Sequence, residues 1–237
     1  MKRTLVGITL LAVAATQAAA FDKTHLARLK ALKACEKCDL SGANLSGEIL
    51  SGMNLTGADL TGANLKGSTL RGTILSGANL TGANLYKAEL GGANLSGANL
   101  KGANLRWVSL RVFKMRGALA DLSGASLVGA DLRNAHLRRA VLVGADLSGA
   151  DLRRASLIDA DLTKAILKGT NLRKANLVGA NLTGAVLVGA NLREANFSGA
   201  NLERADLSGA DLSNAEINGA IFCKTKVPWG EENAGCK

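Results

Sequence analysis

The sequence predicts an all-β fold in which the chain turns a corner every few residues and coils upon itself. Three observations carry this prediction. From Leu40 to Met115, and again from Leu122 to Phe222, every fifth residue is Leu or a large apolar substitute. A small residue, usually Ala, stands two positions before it, with Asn or Asp usually between. Aromatic residues make up only 3% of the chain, so Leu and Ala must supply the core. Such regularity is the mark of a stacked-repeat architecture.

A period of five fits neither standard element. Five residues of α-helix turn through about 500°, so successive Leu would spiral round the axis instead of forming one apolar stripe. On a flat strand, an odd period would send successive Leu to opposite faces. Every Leu stays inside only if the backbone bends once per quintet and winds into a coil. Within Ala43-Asn44-Leu45-Ser46-Gly47, Ala43 and Leu45 are two apart and both point inward. Asn44 and Ser46 then point outward, and Gly47 takes the corner, where unusual backbone angles are needed.

These quintets resemble the pentapeptide-repeat family, whose pattern is A-(N/D)-L-x-x. The resemblance spans residues 38–224. It implies a right-handed quadrilateral parallel β-helix with four quintets per coil, hence about nine coils and a rod roughly 43 Å long at the strand spacing. Ladders of identical Leu would hold it, and only the terminal coils would need caps.

The two ends are read as follows. Residues 1–20 carry Lys2 and Arg3, an apolar run from Leu5 to Ala15 and the small residues Ala18-Ala19-Ala20. That is a secretory signal, too short to cross a bilayer, with cleavage expected after Ala20 and Phe21 as the mature start. Residues 21–37 form the N-terminal cap, with a short amphipathic helix over 22–34 presenting Leu26, Leu29 and Leu32 at three-residue spacing. Residues 38–224 form the β-helix, and 225–237 a C-terminal cap. Four Cys allow three pairings. In the coil implied by the resemblance, Cys35 and Cys38 lie at one end, Cys223 and Cys236 at the other. A disulfide needs Cα atoms within about 7 Å, so each pair closes locally. The stretches around both pairs also look like the entry and tail of exported family members.

Between Met115 and Leu122 the spacing is seven. Two extra residues are expected within Arg116–Ala120, a break near 116–121. Trp107 and Phe113 cluster just before it and form a candidate partner-contact knob. Glu48 stands out as a charge at an inward position.

Residues twenty apart stack directly in a four-quintet coil. Arg133, Arg153, Arg173 and Arg193 have this spacing, each just after a Leu, with Arg154 and Lys174 beside them. If a two-residue insertion keeps the face order, Arg71 and Arg111 join the same column. The planar guanidinium fork suits phosphate and carboxylate, so this is a candidate anion-binding stripe.

The formal charge of +10 falls to +8 once Lys2 and Arg3 are removed. A basic exported rod points to anionic envelope polymers or a protein partner. Nucleic acid is disfavoured by export and by the lack of regularly interleaved aromatics. Several family members mimic DNA, but that use needs an acidic cytoplasmic rod and is not carried over. The only His residues are His25 and His136, and no nucleophile–base constellation is visible. The expectation is a non-enzymatic scaffold or binding protein, periplasmic or secreted and monomeric, without cofactor or metal and not membrane-spanning after cleavage. The alternative is a thiol–disulfide redox protein using Cys35-Glu36-Lys37-Cys38, but that motif normally opens a helix in a thioredoxin-like sheet, and no such sheet is legible.

Overall fold

The computed structural model describes residues 29, 31–111 and 119–236. Their backbone closes a square once per four quintets. Residue i pairs in parallel with residue i+20, as in Asn44 with Asn64, Asn64 with Asn84 and Asn84 with Asn104. Each contact between coils is a single bridge and not an extended strand, because a corner follows every straight segment.

One quintet shows how the pattern arises. Leu45 N–H donates to Asn64 O at 2.8 Å, and Asn64 N–H donates to Ala43 O at 2.9 Å. Gly47 N–H donates to Lys66 O at 2.9 Å. The corner itself is a four-residue turn: Ala43 N–H donates to Leu40 O at 3.0 Å, with Gly42 between them at φ +65°. A positive φ at the third turn residue is what a type II turn demands, and Gly supplies it without a Cβ clash.

Four faces result, headed in chain order by Leu40, Leu45, Leu50 and Leu55. The inward Leu and Ala of all four are buried in one continuous core. Ser68, Thr73, Thr170 and Thr225 replace Ala at the inward site and are fully buried. Each hydroxyl donates to a Leu carbonyl: Ser68 to Leu65, Thr73 to Leu50, Thr170 to Leu147 and Thr225 to Leu202. The polar atom is thereby satisfied inside an apolar core. Glu48 heads its inward column and is half-buried.

The break differs from expectation. Asn94 pairs with Asp121 and Ser109 with His136, a step of 27. Seven residues, not two, are therefore added to one coil. The columns pass from Leu110 to Leu122. Met115 and Phe113 lie outside the described residues.

At the C-terminus the last coil runs into a hairpin of β1 (Thr225–Val227) and β2 (Gly230–Glu232). These pair antiparallel, Thr225 with Glu232 and Val227 with Gly230. Lys226 still bridges Asp206, and Val227 is buried in line with Leu207, so β1 extends the first face by one step. Phe222 N–H donates to Ala234 O at 2.8 Å, which folds the tail back over that end. The tail leaves Leu212, Ala215 and Ile217 beside an open apolar cleft of about 250 Å³.

The expected signal segment 1–20 and most of the expected cap helix lie outside the described residues. Leu29 is buried and Lys33 N–H donates to its carbonyl, whereas Leu32 is exposed. The expected Leu26–Leu29–Leu32 stripe therefore does not cover the core through Leu32. Among the described residues, no helix is long and apolar enough to cross a membrane.

Candidate anion-binding face

The second face carries the arginines. Its bridge column runs Asn44, Asn64, Asn84, Asn104, Asp131, Asp151, Asn171, Asn191, Asp211. The residues after the inward Leu stack beside it as Ser46, Lys66, Tyr86, Arg106, Arg133, Arg153, Arg173, Arg193 and Ser213. Arg133, Arg153, Arg173 and Arg193 thus share a column, as their spacing implies. The seven-residue step places Arg106 next in line and not Arg111. Arg71 and Arg111 follow inward Leu of the third face, in line with Arg138, and Arg71 pairs there with Glu89 at 3.0 Å. These two do not belong to the stripe. Arg106, Lys66 and Tyr86 belong to the column, but a count of twenties back from Arg133 misses them because the step across the break is 27.

A local hydrogen-bond rule sets each Arg in place. The Asp or Asn two residues earlier accepts the Arg backbone N–H through its side-chain oxygen, at 3.2 Å for Arg133, 3.1 Å for Arg153, 3.2 Å for Arg173 and 3.2 Å for Arg193. Such Asx turns fix the bend and launch the side chain outward.

Carboxylates then hold some guanidiniums and leave others open. Asp131 accepts from Arg133 Nε at 2.9 Å and Nη2 at 2.7 Å, while Arg106 Nε stays 4.0 Å away. That Arg106 Nε is buried with no hydrogen-bond partner among the described residues. Asp151 accepts from Arg153 Nη2 at 2.6 Å and lies 3.5 Å from Arg133 Nε. Further along, Glu194 takes Arg173 at 2.8 Å and Lys174 at 3.1 Å, and Arg193 reaches Asp211 at 3.5 Å. Arg154, at the corner after Arg153, makes no ion pair with any described residue.

These contacts move acid strengths. Burial raises the Asp131 carboxyl, but hydrogen bonds from the Arg133 side chain and backbone, with the charges of Arg133 and Arg106, outweigh it and hold the group below its ordinary value. Hydrogen bonds from Arg173 and then Lys174 hold Glu194 low. Arg133 and Arg153 are each raised, chiefly by their hydrogen bonds to Asp131 and Asp151. Asp131, Glu194, Arg133 and Arg153 are therefore all charged at neutral pH.

A second row borders the first. The corner residues of this face include Lys87, Trp107, Asn134, Arg154, Lys174, Glu194 and Asn214, all at positive φ between 56° and 60°. The corresponding corner of the first face is Gly in every coil, from Gly42 to Gly209. A non-Gly residue in this conformation costs roughly 1–2 kcal/mol. Seven consecutive coils of one face bear that cost, and the first face never does. Between the two rows lies a polar cleft of about 340 Å³, lined by Arg106, Arg133, Asn134, Arg153, Arg154, Arg173 and Lys174. Trp107 is 42% exposed. Tyr86 receives Lys66 and Lys87 ammonium groups at 5.9 Å and 5.3 Å from its ring centre.

The cysteines sit at the ends. Cys35 bonds Cys38 with Cα atoms 5.3 Å apart, and Cys223 bonds Cys236 at 4.8 Å. Cys35 and Cys38 are buried. Among the described residues no group of His, Cys, Asp and Glu is arranged to hold a metal ion.

A square coil of quintets with one decorated face defines a repeat solenoid of the β class. A family profile described as pentapeptide repeats matches residues 38–77, 73–111, 119–154, 155–193 and 190–226, and the chain belongs to that family. Its members form right-handed quadrilateral β-helices and are in general structural or binding proteins. Among solved structures, the chain is similar to HetL, a pentapeptide repeat protein involved in heterocyst differentiation regulation from the cyanobacterium Nostoc sp. strain PCC 7120. The identity is 32% over 90% of this chain and 99% of HetL, with a TM-score of 0.35. It is also similar to QnrB1, a plasmid-mediated fluoroquinolone resistance protein, at 22% identity over 70% and 88% of the two chains, TM-score 0.39. A pentapeptide repeat protein from the Arabidopsis thaliana thylakoid lumen shares 32% identity over 57% and 69%, TM-score 0.18. No curated protein sequence matches the chain.

Proposed function

We propose that this protein is an exported, non-enzymatic scaffold whose rigid second face binds anionic partners, either an envelope polymer or an acidic protein surface. The carrying observation is the unbroken column of Arg106, Arg133, Arg153, Arg173 and Arg193 over five successive coils. Like charges at strand spacing repel one another, and an external anion relieves that repulsion. Export is supported by the segment before Phe21 and by two disulfides, which persist in oxidising compartments. The burial of Cys35 and Cys38 counts against the thiol-enzyme alternative, because an attacking thiolate must be accessible.

Binding to an immobilised anionic polymer across a salt series tests this reading. The expected affinity falls steeply with salt, and R133S/R153S/R173S/R193S flattens the slope and weakens binding at least tenfold. Unchanged affinity in that variant would remove the proposal.

A further inference from the structure

We infer that the cleft of the second face binds an acidic polysaccharide lying parallel to the rod axis, with Trp107 and Tyr86 stacking on its sugar rings. The inference rests on the anion-binding reading above and names its ligand class.

Three observations select this ligand. The first is spacing. Cations recur once per coil, about 4.8 Å apart, which is close to the length of one pyranose unit. A uronate chain thus offers one carboxylate per guanidinium, whereas a polyphosphate or nucleic-acid backbone carries its charges at other intervals.

The second is charge balance. Nine cations on the bridge, post-Leu and corner positions of this face meet four carboxylates, Asp131, Asp151, Glu194 and Asp211. The net of five positive charges is less than one per coil from Lys66 to Arg193, which suits a sparse polyanion better than a dense one. Arg154 and the loosely held Arg106 are the forks left to receive ligand carboxylates. Arg133 and Arg153 are already engaged by Asp131 and Asp151 and supply field more than direct contacts.

The third is the placing of the aromatics. Tyr86 and Trp107 lie on consecutive coils beside Arg106, and the column continues without rings to Arg193. Bases of a single strand would need a platform at successive steps. Two adjacent rings at one end of a cationic trough instead anchor one stretch of sugar and leave the rest to ion pairs. Trp107 is exposed and follows Arg106, the first residue lining the cleft, so it stands beside the cleft's end and not in its lining. The retention of side chains at corners that the first face fills with Gly gives the trough its second wall.

The test uses the full chain carrying W229F, which leaves Trp107 as the sole Trp of the two, with oligogalacturonates of graded length, polyphosphate and single-stranded DNA as probes. Oligogalacturonate should change the Trp107 emission, and its affinity should rise with length and level off at about six or seven units, the span from Lys66 to Arg193. W107A and Y86A should each weaken oligogalacturonate binding about fivefold to tenfold and leave polyphosphate binding unchanged. R106S/R154S should weaken it more. If R133S/R153S/R173S/R193S abolishes binding of every polyanion while W107A and Y86A change nothing, the glycan inference fails and anion binding stands. If that quadruple variant binds all probes as before, both fail. Tighter binding of DNA or polyphosphate than of oligogalacturonate also overturns the inference. Circular dichroism of each variant confirms that the coil is intact.

Discussion

The corner positions show how single residues trade stability against surface chemistry. Arg154 occupies a left-handed turn site with φ 59°, where the first face uses Gly149 in the same coil. Relief of the Cβ clash favours Gly there, and the greater freedom of Gly in the unfolded chain opposes it. R154G is therefore expected to stabilise the protein by a net of about 0.5–1 kcal/mol, read as a higher denaturation midpoint. The same change should lower affinity for polyanions. A variant that is both more stable and a weaker binder would identify the corner side chains as retained for their surface. Unchanged binding would assign Arg154 no part in it. The inward hydroxyls follow a different rule. Thr73 and Thr170 fit the tight Ala site because a Leu carbonyl of the preceding coil accepts each hydroxyl, so the pattern tolerates polarity only where a partner is built in.

At the scale of elements, the two ends of the coil differ. Every internal quintet is hydrogen-bonded to a coil above and a coil below, while a terminal quintet has one neighbour only. The hairpin of β1 and β2 supplies bonds to the last turn of the first face, and the Cys223–Cys236 bond ties its far end across 13 residues. Closing a loop of that size contributes about 2–4 kcal/mol. In C223S/C236S, hydrogen exchange should accelerate at Thr225–Val227 and Gly230–Glu232 and stay slow in the central columns. Equal loss of protection throughout would mean that the cap governs the whole rod. The helical turn at Leu29 contributes one buried side chain to the opposite end, in the same core as the disulfide-bonded Cys35 and Cys38.

For the whole molecule, the distribution of acids sets the response to pH. Asp131, Glu194, Asp206 and Asp211 all hold their protons less tightly than free carboxylates do. A carboxyl with a lowered folded value binds fewer protons folded than unfolded, so its stabilisation is complete above the ordinary carboxylate range and disappears as pH falls through the lowered value. The melting temperature should be flat from pH 8 to 6 and decline below about pH 4. A decline already complete at pH 6 would contradict this assignment. Acid also strips the arginine column of its own counter-ions. Binding of a strong-acid polymer, which stays ionised, should therefore be flat from pH 6 to 4 and tighten only below about pH 4, as Asp131, Glu194 and Asp211 take up protons, and loss of binding on that descent would count against the column as the contact surface.

The sequence by itself determined what faces inward, what faces outward and where the chain bends. A period of five with Leu and Ala two apart admits one way of hiding both from water, and Asn44-Leu45-Ser46-Gly47 already contains the outward pair and the corner. The pairing of cysteines followed once the two ends of the coil were known to be far apart. Only the tertiary structure decided which outward residues stand together across the break. Leu110 and Leu122 are twelve apart, and a five-residue period reports such an insertion only up to whole quintets. Two extra residues with Met115 in the stack, or seven without it, leave every other Leu in phase. The two cases rotate the second run by one face, placing either Arg111 or Arg106 beside Arg133. Hydrogen bonds between coils resolve the ambiguity: Trp107 N–H donates to Arg133 O, and Lys87 N–H to Arg106 O. Local pattern fixes the side of the backbone, but the partner twenty or twenty-seven residues away is fixed only when the coils close.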